Sequence, residues 1–133
     1  MNANRTTARP DREGGSMCIE FALLVTFFLM PLLAGIVDFG QILHAQSVVA
    51  RAAREGAVAA ARNQDINTVV DAYLQNAGYQ LDLSHVSTDG TRVSGEPVTV
   101  TVRYDTSAMV LIPWQSISPT MTQVVASATT QQL

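Results

Sequence analysis

Ile19-Glu20-Phe21-Ala22-Leu23-Leu24-Val25-Thr26-Phe27-Phe28-Leu29-Met30-Pro31-Leu32-Leu33-Ala34-Gly35-Ile36-Val37 is the stretch on which the fold turns. Apart from Glu20, only Thr26, Pro31 and the small pair Ala34-Gly35 depart from a plainly apolar run. As a helix, its 19 residues rise about 28 Å, close to the roughly 30 Å hydrocarbon core of a bilayer. A secretory signal has a shorter apolar core and a small-x-small cleavage site. Here the exit reads Val37-Asp38-Phe39-Gly40-Gln41-Ile42 and the helical pattern continues, so cleavage on that side is not expected. Arg5, Arg9 and Arg12 precede the run and the next arginine is Arg51. That asymmetry predicts one pass, with the N-terminus cytoplasmic and the bulk of the chain outside.

Glu20 is the anomaly in this segment. A carboxylate at membrane depth costs several kcal/mol unless it is partnered or protonated, which makes it a functional hypothesis by default. The plainer alternative is that it snorkels to the nearby interface. Upstream of it, Gly15-Ser16-Met17-Cys18-Ile19-Glu20 follows a short arginine-bearing leader. A basic leader, a glycine, four residues, a glutamate and an apolar helix together resemble the type IV prepilin signal. The resemblance implies a prepilin peptidase cutting after Gly15, with Ser16 as the new N-terminus and Glu20 as the fifth residue of the mature chain. Gly14 is the rival site, but cutting there makes Glu20 the sixth. A serine at the new terminus and two acids in the leader, Asp11 and Glu13, sit less comfortably with that pattern.

Composition bounds the remainder. The 133 residues are 47% hydrophobic and 14% charged, as expected of one greasy span joined to an ordinary small domain. The net charge of −3 becomes −4 without residues 1–15, which contain three arginines and two acids. No basic patch suited to nucleic acid is present. Cys18 is the only cysteine, which excludes an intramolecular disulfide and a cysteine-rich metal site. It precedes the apolar run, whereas a lipoprotein cysteine follows one.

Pro31 removes one backbone hydrogen bond and presses on the carbonyl of Phe27, so a kink or a loosened turn is expected in mid-span. The helix then continues without a breaker from Gln41 to about Arg62. Ile42, Ala45, Val49, Ala52, Gly56 and Ala60 recur every three or four residues, opposite Gln46, Arg51, Arg54, Glu55 and Arg62. This small-residue stripe either packs on the chain's own sheet or meets neighbouring helices in an assembly.

Gly35-Ile36-Val37-Asp38-Phe39-Gly40, followed one helical stretch later by Ala52-Ala53-Arg54-Glu55-Gly56-Ala57, narrows the resemblance. With Glu20-Phe21 at the head, residues 14–61 resemble the TadE-like family of pilin-related proteins from tight-adherence (Flp) pilus systems. The family implies a minor pilin or pseudopilin needed to build or anchor the pilus. Its implied partners are a prepilin peptidase, other pilins or pseudopilins, Tad inner-membrane assembly proteins and membrane lipid. Phe21, Asp38, Ala52, Gly56 and Trp114 are the candidates for contact with neighbouring subunits. Pro31 is then either a tolerated defect of a lone anchor or, as the resemblance implies for a packed filament, the place where the helix melts and extends. A filament would also bring one subunit's Ser16 amine near another's Glu20. At about 4 Å and an effective dielectric near 20 the pair attracts by about 4 kcal/mol, much of it offset by desolvation, so its expected role is axial register.

Beyond the long helix the period changes. Asp65 or Asn67 is placed to cap a short helix over residues 66–76 carrying Ile66, Val69, Val70, Tyr73 and Leu74 and ending at Asn76-Ala77-Gly78. Tyr79-Gln80-Leu81-Asp82-Leu83 reads as a strand, Thr88-Asp89-Gly90 as a turn and Thr91-Arg92-Val93 as a strand partner. Val98, Val100, Val102 and Tyr104 alternate with Thr99, Thr101 and Arg103, which predicts a half-buried central strand. A last strand is expected over about 121–130. The greasy run Ala108-Met109-Val110-Leu111-Ile112-Pro113-Trp114 reads either as a cover for one edge of the core or as a docking surface for another subunit.

The fold class is therefore α+β and pilin-like: a long N-terminal helix, a short second helix and a small antiparallel sheet. The expected division is a cytoplasmic leader over 1–15, a transmembrane helix over 16–38 and an extracytoplasmic domain over 39–133. Within that domain the helix continues over 39–62, the short helix covers 66–76 and the sheet 79–130. His44 and His85 have no partner at metal-ligand spacing, and neither a phosphate-binding glycine loop nor a nucleophile elbow occurs. No catalysis, cofactor, metal or small-molecule substrate is expected. A permanently membrane-anchored periplasmic binding module, never cleaved or assembled, is the alternative, and removal of the leader distinguishes the two.

Overall fold

The computed structural model describes residues 12–90 and 93–131. Helix α1 runs from Arg12 to Ala61, continuous across Pro31, and the chain divides into two compact units between Ala34 and Gly35.

The described part of the first unit, residues 12–34, is helix. Its apolar side chains are exposed, among them Phe21, Phe28 and Phe27, the last at 86%. Among the described residues none buries the apolar stretch, which is long and apolar enough to cross a membrane once.

The second unit is an α+β domain. There α1 carries the small residues Ala45, Ala52, Ala53 and Ala60 into the core, each at most 1% exposed. The helix ends in a Schellman motif with Asn63 in the left-handed region (φ 58°). The Gln64 amide donates to the Ala59 carbonyl at 2.9 Å and the Asn63 amide to Ala60 at 3.0 Å. Helix α2 spans Ile66–Asn76, and the Asp65 carboxylate caps it by accepting from the Asn67 amide and, at 2.6 Å, from the Thr68 hydroxyl. It ends in the same way as α1, with Gly78 at φ 83° and the Tyr79 amide donating to Leu74 at 2.9 Å. Ile66, Val70 and Leu74, at i, i+4 and i+8, face the core.

Three antiparallel strands complete the domain: β1 (Ser84–Asp89), β2 (Pro97–Asp105) and β3 (Gln123–Gln131), in that order. Val86 pairs with Val102, and Val102 with Ala126. Strand β2 is central, with Val98, Val100, Val102 and Tyr104 buried. These side chains share one core with α2 and the small stripe of α1. The rings of Tyr79 and Tyr104 meet edge to face, 5.1 Å apart. On the other face Thr99 and Thr129 share a 2.8 Å hydroxyl hydrogen bond across the β2–β3 ladder.

One part of the expected sheet is corrected. Residues 79–83 are not a strand: Tyr79 is buried just past α2, and Leu81–Leu83 form a single 3-10 turn. The edge strand starts at Ser84, so Thr88 and Asp89 lie inside it rather than in a turn. Its partner is β2. Of the expected partner 91–93, Thr91 and Arg92 lie outside the described residues and Val93 is in no strand. The physical reason is that β1 is an edge strand with one apolar side chain, Val86, so its alternation is nearly invisible, while Leu81 and Leu83 imitate the period of two.

Candidate functional site

Two places on α1 carry ionisable groups in apolar surroundings, one in each unit. In the first, Gly15, Ser16 and Glu20 all lie within the helix and are exposed. Nothing lies within 4 Å of where a side chain on Gly15 would begin. Phe21 beside them is 69% exposed, and Cys18 is a free, exposed thiol.

The second is Asp38, in the domain unit. It is fully buried, and its carboxylate gathers a loop from the far end of the sequence. Oδ1 accepts from the Leu111 amide at 2.7 Å, and Oδ2 accepts from the Ile112 amide at 2.8 Å and from Trp114 Nε1 at 3.0 Å. Three donors on one carboxylate satisfy an ionised group that burial otherwise penalises. The loop needs this anchor because it has little regular structure between β2 and β3: two short 3-10 turns, Trp114–Ser116 and Pro119–Thr122. Its ends are tied separately, the Thr106 amide and hydroxyl both donating to the Thr122 carbonyl at 2.8 Å.

Both readings of the greasy run 108–114 find a counterpart here. Met109 packs against the core, whereas Leu111 is 68% exposed. Near Asp38, an open and mostly apolar pocket of about 280 Å³ is lined by Val37, Gly40, Gln41, His44, Tyr79 and Met109. Among the described residues no group of three or more His, Cys, Asp or Glu could hold a metal ion.

The candidates for subunit contact therefore divide. Ala52 and Gly56 are buried within this chain's own core. A Cβ on Gly56 would lie 2.8 Å from Val70 Cγ2 and 3.1 Å from Val100 Cγ1, so the glycine is what lets α1 approach α2 and β2. Asp38 and Trp114 bond to each other inside one chain. Phe21 is exposed. The link from Asp38 to residues 111–114 was missed in the sequence. Its signal was a lone carboxylate directly after an apolar run, together with a lone tryptophan whose N–H needs an acceptor when covered.

The fold and these two places define an apolar, membrane-compatible helix that carries a small α+β domain. Residues 15–58 match the family model described as TadE-like protein, the family that the sequence motifs resemble. No curated protein and no solved structure matches the chain.

Proposed function

We propose that this protein is a minor pilin or pseudopilin of a Tad (Flp) pilus, made as a precursor and cut by a prepilin peptidase after Gly15. The observation that carries the reading is the TadE-like match over residues 15–58, whose first residue is Gly15. The exposed apolar half of α1 supports a single inner-membrane pass, and the three arginines before it support a cytoplasmic N-terminus. Two successive glycines, Gly14 and Gly15, each cost a helix about 1 kcal/mol relative to alanine, so the turn that a peptidase must open is inherently weak. Cutting there would release the Ser16 amine, a cation suited to meet Glu20 of another subunit and set axial register. The α+β domain would then stand outside the membrane, primed for building or anchoring the filament.

The test is the intact mass and N-terminal sequence of the protein from membranes of cells with and without a prepilin peptidase. The expected outcome is a start at Ser16 only when the peptidase is present. A start at residue 1 in both would reduce Glu20 to an interface carboxylate and leave a fixed membrane anchor as the better account.

A further inference from the structure

The Asp38 clamp fixes the 108–117 loop, within the domain unit, beside the end of the apolar run. Asp38 is the residue directly after Val37, where the apolar run ends, and its carboxylate holds the Leu111 and Ile112 amides and the Trp114 indole within 3.0 Å. Any depth assigned to the end of the run is therefore shared by this loop. The loop exposes uncharged groups there: the polar Gln115 and Ser116 and two large apolar side chains. Leu111 and Ile117 are 68% and 69% exposed, and on the helix Ile36 and Phe39, flanking Asp38, are 61% and 63% exposed.

Charge points the same way. After Asp105 the chain has no Asp, Glu, Lys, Arg or His, so entering a headgroup layer would strip water from no ion. Tryptophan favours that layer because its ring is apolar and its N–H polar. Here Trp114 is half-buried, and its N–H is already satisfied by Asp38. The indole thus has no polar demand that would hold it out of lipid.

From this we infer that the 108–117 loop is a lipid-contacting surface, seated on the outer headgroup region of the bilayer that α1 crosses, with Leu111 and Ile117 as its inserting side chains and the Asp38 clamp as its anchor. Lipid is favoured over a protein partner because the largest exposed side chains of the loop, Leu111 and Ile117, are apolar and the loop is tied to Asp38, directly after the membrane run. No charged side chain on the loop is available to fix a partner's orientation. The inference rests on the reading that residues 19–37 span the membrane.

The test uses the full chain with Cys18→Ala, so that single cysteines introduced by Leu111→Cys, Ile117→Cys, Phe28→Cys or Ser87→Cys take an environment-sensitive NBD label. Each variant is reconstituted into phosphatidylethanolamine–phosphatidylglycerol vesicles containing brominated lipid, and quenching by that lipid is set against quenching by aqueous iodide. Emission of the sole tryptophan, Trp114, reports that the clamp is intact in every variant. Labels from Leu111→Cys and Ile117→Cys are expected to shift to the blue, lose emission to brominated lipid and resist iodide. The Phe28→Cys label should behave in the same way and the Ser87→Cys label in the opposite way. Loop labels open to iodide while the Phe28→Cys label lies in lipid would overturn the inference and leave the span intact. Loop labels shielded only after other pilus subunits are added would overturn it in favour of a protein partner. A Phe28→Cys label open to iodide would remove the membrane reading and the inference with it.

Discussion

The two halves of α1 are both rich in apolar residues, yet they are apolar in different ways. From Met17 to Phe39 the large apolar side chains are mostly exposed: Phe27 at 86%, Met17 at 76%, Phe28 at 71%. From Ala45 to Ala60 the inward residues are mostly alanine, with Val49 and Gly56, and they are buried. Large side chains suit a helix whose surroundings come from outside the chain, because lipid adapts to their shape. Small ones suit a helix that must bring its backbone close to a preformed sheet, as the Gly56 contacts with Val70 and Val100 require. The difference is one of environment, not of helix propensity.

The largest effect expected from this contrast is in paired leucine truncations. Leu74 is fully buried, so Leu74→Ala should destabilise the domain by about 2–5 kcal/mol. Leu24 is 64% exposed, and Leu24→Ala should leave domain unfolding unchanged. Thermal unfolding of the full chain in detergent, with amide exchange read on β2, measures both. Equal losses would erase the distinction between the halves.

Glycines sharpen it further. Gly56→Leu forces three extra carbons and Cβ against Val70, Val100 and Ile66, an overpacking that typically costs about 1–3 kcal/mol. A Cβ on Gly35 meets nothing within 4 Å, and Gly35→Leu should be neutral in the same unfolding assay. A neutral Gly56→Leu would mean that the core is looser than the buried stripe implies.

The elements most legible in the sequence were those whose pattern is local. Helix α2 announced itself by two candidate caps, Asp65 and Asn67, of which Asp65 is the cap, by its apolar row and by Gly78 after it. The four inward residues of β2 announced themselves by strict alternation. Strand β1 was displaced because an edge strand with a single inward valine gives almost no period, and a 3-10 turn with two leucines gave a false one. The destination of the small stripe was left open between the protein's own sheet and a neighbour, since small residues permit close approach without specifying what approaches. The Asp38 clamp was illegible for a different reason. Its partners lie 73 to 76 residues away, and no local pattern joins them.

Two of the carboxylates of α1 repeat the contrast as chemistry. Glu20 is exposed in the apolar half, whereas Asp38 is buried and accepts three hydrogen bonds. Asp38→Asn keeps the shape but turns one acceptor into a donor facing N–H groups, so Trp114 emission should shift and the Leu111 and Ile112 amides should exchange faster. Glu20→Gln should alter neither, and should leave cleavage largely intact while lowering incorporation into pili, scored by immunoblot of sheared filaments. Equal incorporation of Glu20→Gln and wild type would detach Glu20 from any role in assembly.

The smallest effect concerns pH and is confined to one half by composition. All three tyrosines, Tyr73, Tyr79 and Tyr104, lie in the domain, while the apolar half has only phenylalanine as its aromatic residue. Burial, with the nearby Tyr104 phenol adding to it, pushes the Tyr79 hydroxyl above its ordinary value. The folded state then holds this proton more tightly than the unfolded chain. Below about pH 10 both states are protonated and the contribution is fully present. Above that the unfolded chain deprotonates first, so stability falls with rising pH until the folded group also titrates. Tyr79→Phe should therefore flatten the alkaline decline in the unfolding temperature of the domain. An unchanged slope would show that the Tyr79 hydroxyl is solvated, and that the edge-to-face pair with Tyr104 does not seal this end of the core.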